Sequence, residues 1–308
     1  MREIASLPRR LWIYQRERFP LAKVIPLLAA FSAAGLSIAA IDGDKAGFPW
    51  GAFSLGLALA TLIFFQLRVC DEVKDLEDDR TYRPERPIPR GLIRLNALVG
   101  LGLITALFTI ALVVWWNLKL LWLLALVWLW LAAMTYEFAV PEWLKARAAL
   151  YLLSHMLIMP LIALLITGLI WLEHGSLSAT LLVFLALTFV NGCLLEIGRK
   201  LLAPEQERRG VDSYSKLWGS NVGGAVWLSG VLRALVLQII LGAMTETLLI
   251  TMAYAVPGAA VCIYVGWSYR SAPNKMTAGW IEGLSGFWVL LTYTGLALTL
   301  TLAVNKAA

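Results

Sequence analysis

An all-α bundle embedded in a membrane is the fold this sequence predicts, and three observations carry the prediction. Of its 308 residues, 60% are hydrophobic and 15% charged, and the mean hydropathy is +0.74, outside the range of soluble globular domains. The charges are spread so unevenly that several stretches of about 20 apolar residues remain, enough at about 1.5 Å per residue to cross about 30 Å of hydrocarbon. These runs are continuous and rich in Leu, Ala and Trp, as in Leu120 to Ala133, whereas a membrane β-barrel alternates over roughly ten-residue segments.

Apolar windows between charged, Pro or Gly breaks place nine spans near 21–41, 50–70, 92–115, 118–136, 149–171, 177–198, 221–244, 247–269 and 279–304, with residues 1–308 forming one domain. The first follows a basic, mixed-charge stretch (Arg2, Arg9, Arg10, Arg16, Arg18, Lys23) without a small-residue cleavage site, so it is expected to be retained. The second runs into an acidic segment, and the third opens after a proline- and arginine-rich turn. Only the short 115–119 connection separates the third from the fourth. The fifth opens after a charged loop, the sixth ends at Glu196, the seventh follows a segment punctuated by Gly210 and Gly219, and the last two flank a polar link at 270–278.

Sidedness follows from the basic residues. With the N-terminus inside, residues 1–20, 71–91, 137–148, 199–220 and 270–278 face the cytoplasm and, with Lys23 and Arg94, hold most of the Lys and Arg. The opposite connections carry Lys45 and Lys119, and Lys306 sits near the C-terminal end, so the expectation is N-in, C-out. The net charge of +6 and pI of 9.3 therefore report membrane orientation, and nucleic-acid binding is not needed to explain them. Cys70, Cys193 and Cys262 show no CxxC spacing and read as packing residues. Many of the 14 tryptophans, including Trp50, Trp115, Trp116, Trp122, Trp143 and Trp171, fall near span ends, as an interfacial belt would, although some could line a cavity.

Eleven of the 20 acids sit in two cytoplasmic connections: Asp71, Glu72, Asp75, Glu77, Asp78, Asp79 and Glu85 after span two, and Glu196, Glu205, Glu207 and Asp212 after span six. If span two continues as a helix, Asp71, Asp75 and Asp79 line one face at i, i+4 and i+8. Hard oxygen ligands in that pattern suit Mg2+, which keeps water and phosphate as its remaining ligands. A solvated acidic loop is the alternative. Two features argue against it: the run abuts the membrane and turns into Arg80, Arg83, Arg86 and Arg90 around stiffening prolines, and the layout recurs as Glu196, Arg199, Lys200, Glu205, Glu207, Arg208 and Arg209. The pseudo-repeated segments 71–91 and 196–219 could face one another and bridge a diphosphate through metal and arginine.

These residues resemble the UbiA-type intramembrane prenyltransferase superfamily, whose first signature is NxxxDxxxD followed by RPxxxG. Here it reads Asp71-xxx-Asp75-xxx-Asp79 and Arg86-Pro87-Ile88-Pro89-Arg90-Gly91, with Asp71 where the family usually has Asn. The second, commonly Asp-rich motif is matched by glutamates at 196, 205 and 207, and a Tyr-then-Lys element after span four by Tyr136 and Lys145. The resemblance implies a nine-helix bundle around a central cavity, with the active site on its cytoplasmic side. It also implies Mg2+ held by Asp71, Asp75, Asp79, Glu196, Glu205 and Glu207, and a prenyl diphosphate contacted by Arg86, Lys145, Arg199, Lys200 and Arg208. Ionisation of the allylic C–O bond and attack by an aromatic or quinone-type acceptor would follow in the apolar interior.

Four polar residues are candidates for the cavity or acceptor site. Arg233 lies near the middle of span seven, either lining a cavity or paired structurally. His155 could act as an acceptor-site base or as a hydrogen-bonded packing residue. Asn191 precedes Glu196 by five residues, and Tyr136 closes span four; His174, in an outer turn, has no expected role. Two other functions stay open: the resemblance also admits an intramembrane terpene cyclase, which shares the ionisation but lacks an external acceptor, and apolar helices with intramembrane charges also describe a secondary transporter, against which the surface position of the acids argues.

Overall fold

The structure, a computed structural model, describes residues 6–43, 47–208, 210 and 212–306, so Arg2, Lys45 and Arg209 lie outside the described residues. In chain order the helices are α1 (Leu7–Arg18), α2 (Leu21–Asp42), α3 (Trp50–Lys74), α4 (Leu76–Tyr82), α5 (Leu95–Trp116), α6 (Leu120–Thr135), α7 (Pro141–Lys145), α8 (Ala148–Met156), α9 (Ile158–His174), α10 (Ala179–Gly198), α11 (Tyr214–Trp218), α12 (Ser220–Met244), α13 (Leu248–Ser271) and α14 (Lys275–Lys306). Among the described residues no strand occurs, and the chain is a multi-pass α-helical membrane protein.

Eight described segments are long and apolar enough to cross a bilayer. At 16 residues, α6 is shorter, about 24 Å of helix against about 30 Å of hydrocarbon. The fifth expected span is two helices, because Pro160 has no N–H to give the Met156 carbonyl and its ring crowds that carbonyl. Accordingly α8 stops at Met156 and α9 starts at Ile158. The basic N-terminal stretch, read from sequence only as a charged flank, is the helix α1, with a proline in its first turn and Tyr14 buried.

The long helices pack as a closed ring. Contacts run from α2 to α3, α5, α6, α9, α10, α12, α13 and α14, and α14 returns to α2. Apolar side chains from opposite walls fill the middle, with Phe31, Phe184 and Tyr293 meeting edge to face or tilted and Trp227 and Trp288 fully buried. Those two tryptophans are core residues, whereas Trp50, Trp115 and Trp122 are exposed on the outside, as an interfacial belt requires.

One close approach sets the height of α10. The missing side chain of Gly198 lets Ser285 and Trp227 come in, since a Cβ there would lie 1.8 Å from Ser285 Oγ and 3.1 Å from Trp227 Nε1. Trp227 donates to Ser285 Oγ at 2.8 Å, so α10, α12 and α14 are fastened two residues beyond Glu196. Replacing Gly198 by Ala is expected to cost about 1–3 kcal/mol through overpacking. The check is the melting midpoint of purified protein, which should fall; an unchanged midpoint would contradict this packing.

Candidate active site

The first acidic run does not continue as one helix. α3 ends at Lys74, Asp75 sits at the junction (φ −87°, ψ 3°), and α4 restarts at Leu76, while the i to i−4 bonds from Asp75 N to Asp71 O and Asp79 N to Asp75 O bridge the break. Asp71 and Asp75 are thus one turn apart at the end of α3. Asp71 is enclosed on most sides by protein, yet its side chain is 52% exposed, which places it on the wall of a recess open to water. Its electrostatic neighbours are Arg68, Lys74 and Asp75 from its own segment and Arg199 from beyond the end of α10.

Across the recess stands Glu196, 12% exposed, paired with Arg199 (2.5 Å) and Lys200 (2.9 Å). Glu196 holds the Arg199 guanidinium above the usual arginine range, with Asp71 adding to the effect. Tyr214 of α11 and Tyr151 of α8 lie within the field of Glu196, and Tyr151 also feels Asp75 and Asp71, so both phenols border the same recess. Burial pushes the Tyr214 hydroxyl well above the usual phenol range, and Glu196 reinforces this.

The other acids of the two motifs are engaged elsewhere. Asp79, 2% exposed, accepts from Arg86 on both oxygens (2.7 and 2.6 Å) and from Arg83 (3.3 Å), which ties α4 to the proline-rich turn. Burial lowers the Arg86 guanidinium from its usual range and Asp79 opposes that, the pattern of a half-buried structural pair. Glu72 is buried against Arg18 (2.5 Å) and Tyr14 (3.4 Å), docking α1 beside the motif. Glu205 accepts from the Lys275 backbone N–H (2.9 Å) at the start of α14, where the helix dipole favours an anion. Glu207 accepts from Ser213 (2.7 Å) and Ser215 (2.6 Å), holding the loop between α10 and α11.

Lys74, the lone cation of the acidic run, is the hub of a cluster of which sequence reasoning named His155 and Lys145 but not Lys74, Tyr151 or Glu137. Its ammonium reaches the Tyr151 hydroxyl (2.6 Å), Glu137 (3.1 Å) and His155 Nε2 (3.2 Å), and Tyr151 and His155 stack at 4.0 Å. The i, i+4 spacing of Tyr151 and His155 was a legible signal for that stacking. Glu137 was not legible: it is delivered by three successive non-glycine residues at positive φ, Glu137 (48°), Phe138 (55°) and Ala139 (60°), each costing about 1–2 kcal/mol. Lys145 approaches the same carboxylate at 3.6 Å.

The remaining candidates are dispersed. Tyr136 is 77% exposed, and Arg208 is exposed on the loop. Arg233 is exposed, donates to Ser229 Oγ (3.0 Å) and acts electrostatically on Cys193 of α10. Asn191 is fully buried, with neither amide atom hydrogen-bonded among the described residues. No group of three or more potential metal ligands gathers among the described residues. Two carboxylates one turn apart, with a third opposite, nevertheless fit Mg2+, which takes few protein oxygens and keeps water and phosphate.

The architecture and the recess at one end of the ring together define an intramembrane helical bundle built around a charged site. That fold is the UbiA-type prenyltransferase fold. The chain is similar to the structure of a digeranylgeranylglyceryl phosphate synthase (16% identity, 97% of this chain and 99% of that one, TM-score 0.60). It is also similar to a UbiA homologue from Aeropyrum pernix in its apo form (16%, 88% and 97%, TM-score 0.65). A third similar structure is a UbiA homologue from Archaeoglobus fulgidus bound to DMAPP and Mg2+ (12%, 92% and 99%, TM-score 0.57). No family model and no curated protein matches the sequence.

Lys74 and Glu137 supply a test of the cluster. Lys74→Met leaves a carboxylate of 5% exposure with only the more distant Lys145, a loss expected to cost about 3–5 kcal/mol. The melting midpoint should fall, and adding Glu137→Gln should restore much of it; equal midpoints for the single and double variants would contradict the pairing.

Proposed function

We propose that the protein is a Mg2+-dependent intramembrane prenyltransferase that moves a prenyl group from a prenyl diphosphate to an aromatic or other lipophilic acceptor. The observation that carries this reading is the recess at the ring's end, where Asp71 and Asp75 oppose Glu196, Arg199 and Lys200 within the UbiA-type fold. The DMAPP and Mg2+ of the Archaeoglobus fulgidus structure support a diphosphate and a divalent cation at such a site.

In this reading the protein has nine spans with the N-terminus in the cytoplasm, and the recess faces the cytoplasm. Asp71, Asp75 and Glu196 would hold Mg2+, which would supply positive charge to the departing diphosphate. Arg199 and Lys200 are placed to turn from Glu196 toward phosphate oxygens, matching the negative charge that develops on the leaving group. The prenyl chain lies among the apolar helices, which exclude water from the allylic cation. Tyr214, with Lys200 Nζ 5.9 Å from its ring centre, borders the recess and offers its π-system to positive charge.

Asp75→Asn is expected to lower diphosphate release by at least about 100-fold, comparable to removing one preorganised electrostatic group. EDTA should do the same to the wild type, and circular dichroism should confirm that the variant is folded. Full turnover in Asp75→Asn, or in EDTA, would contradict the mechanism. Incubation with C10 to C20 prenyl diphosphates should release diphosphate only when an aromatic acceptor is supplied; a cyclic hydrocarbon or alcohol formed without acceptor would contradict the transferase reading.

A further inference from the structure

Beneath α1 lies an apolar cavity of about 280 Å3 that the proposed reaction does not use. Leu11 and Tyr14 of α1 roof it, and its walls are Thr61 and Phe65 of α3 and Leu98 and Thr105 of α5. Thr61 precedes Asp71 by ten residues, and Thr105 follows Leu95, the first residue of α5, by ten. Its lining spans Leu98 to Thr105 of α5, about 10 Å of helix, and its deep end at Thr61 and Thr105 lies about 15 Å below the interface. That depth and that lining suit one alkyl chain.

The roof adds a charge preference. α1 carries Arg9, Arg10, Arg16 and Arg18 against a single acid, Glu17, and Lys23 follows at the start of α2. Arg18 is taken by Glu72, and Glu17 by Arg90 at 2.8 Å, while Arg9 and Arg16 are exposed. Exposed Leu7 (51%) and Trp12 (61%) on the same helix are what a helix lying in the interface presents to lipid. Arg10 Nε and Gln15 Oε1 are buried without a hydrogen-bond partner among the described residues, and Gln15 lines the cavity. Buried polar groups are normally paired, so an acceptor left open in the cavity wall at Gln15, with a donor left open five residues earlier on the same helix at Arg10, points to a ligand with a phosphate and a polar ester or hydroxyl region.

We propose that the cavity beneath α1 binds an anionic phospholipid, with one acyl chain between α3 and α5 and the phosphate at Arg10, while the exposed Arg9 and Arg16 add positive charge to the same helix. Because Arg18 of the same helix holds Glu72, the residue beside Asp71, the lipid that pins α1 also steadies the last turn of α3. This site stands whether or not the protein is a prenyltransferase.

Detergent-purified full-length protein, mixed with equal amounts of phosphatidylglycerol and phosphatidylcholine of matched chains, tests the proposal by native mass spectrometry and melting midpoint. One phosphatidylglycerol per protein should be retained, preferred by roughly tenfold or more, as one to two interfacial arginines supply. It should also raise the midpoint where phosphatidylcholine and inorganic phosphate do not. Arg10→Gln should remove the headgroup preference, and Thr105→Phe, which fills the cavity, should remove retention altogether. Arg10→Gln changes no core packing, so it decides the matter even if Thr105→Phe fails to fold. Equal retention of the two lipids, an unchanged preference in Arg10→Gln, an equal shift with inorganic phosphate, or displacement of the lipid by geranylgeranyl diphosphate would each overturn the proposal.

Discussion

A carboxylate at the end of an apolar bundle needs a counter-charge, and in this protein the placement of cations decides what each acid can do. Removing ions from water is costly unless they are paired, so acids that are closed off by arginines or serines become fasteners. Asp79 under Arg86 and Arg83, and Glu72 under Arg18, are of this kind. They tie the proline-rich turn and α1 to the end of α3. Asp71 differs in degree: it meets Arg68 at 3.3 Å yet keeps a side chain 52% exposed, and its neighbour from across the bundle is Arg199.

The same distinction organises the second motif. Glu207 is occupied by Ser213 and Ser215, Glu205 by the start of α14, and Tyr269 donates to the Leu202 carbonyl at 2.8 Å, so the loop after α10 is held at several points. Glu196 is left as the acid of that motif bordering the recess, and it meets two cations, Arg199 and Lys200. The α3 side of the recess is thus richer in carboxylate and the α10 side in cation. That polarity orients a diphosphate whose charge must be shared between a metal and guanidinium or ammonium groups.

The bundle was legible in the sequence because long apolar runs admit few alternatives in a membrane, and the charged segments that Asp71 and Glu196 open stood out because so few acids lay near span ends. Other features depended on information that spacing does not hold. The break at Leu157 needed Pro160 to be read as interrupting a span that hydropathy alone treats as continuous. Asp79, Glu205 and Glu207 fit a metal pattern by position, but their partners Arg86, Ser213 and the Lys275 backbone are set by loop geometry. The left-handed turn that brings Glu137 to Lys74 uses residue types with no preference for it, so only the folded chain reveals the cluster.

The most direct test of the account measures binding at the recess, apart from turnover. Mn2+ replaces Mg2+, with inorganic pyrophosphate present, and bound Mn2+ is counted by electron paramagnetic resonance in wild-type protein and in Asp75→Asn and Glu207→Gln. Pyrophosphate-dependent Mn2+ binding is expected in the wild type, with its loss in Asp75→Asn and its retention in Glu207→Gln. Mn2+ binding that survives Asp75→Asn, or that is lost with Glu207 as completely as with Asp75, would contradict the account.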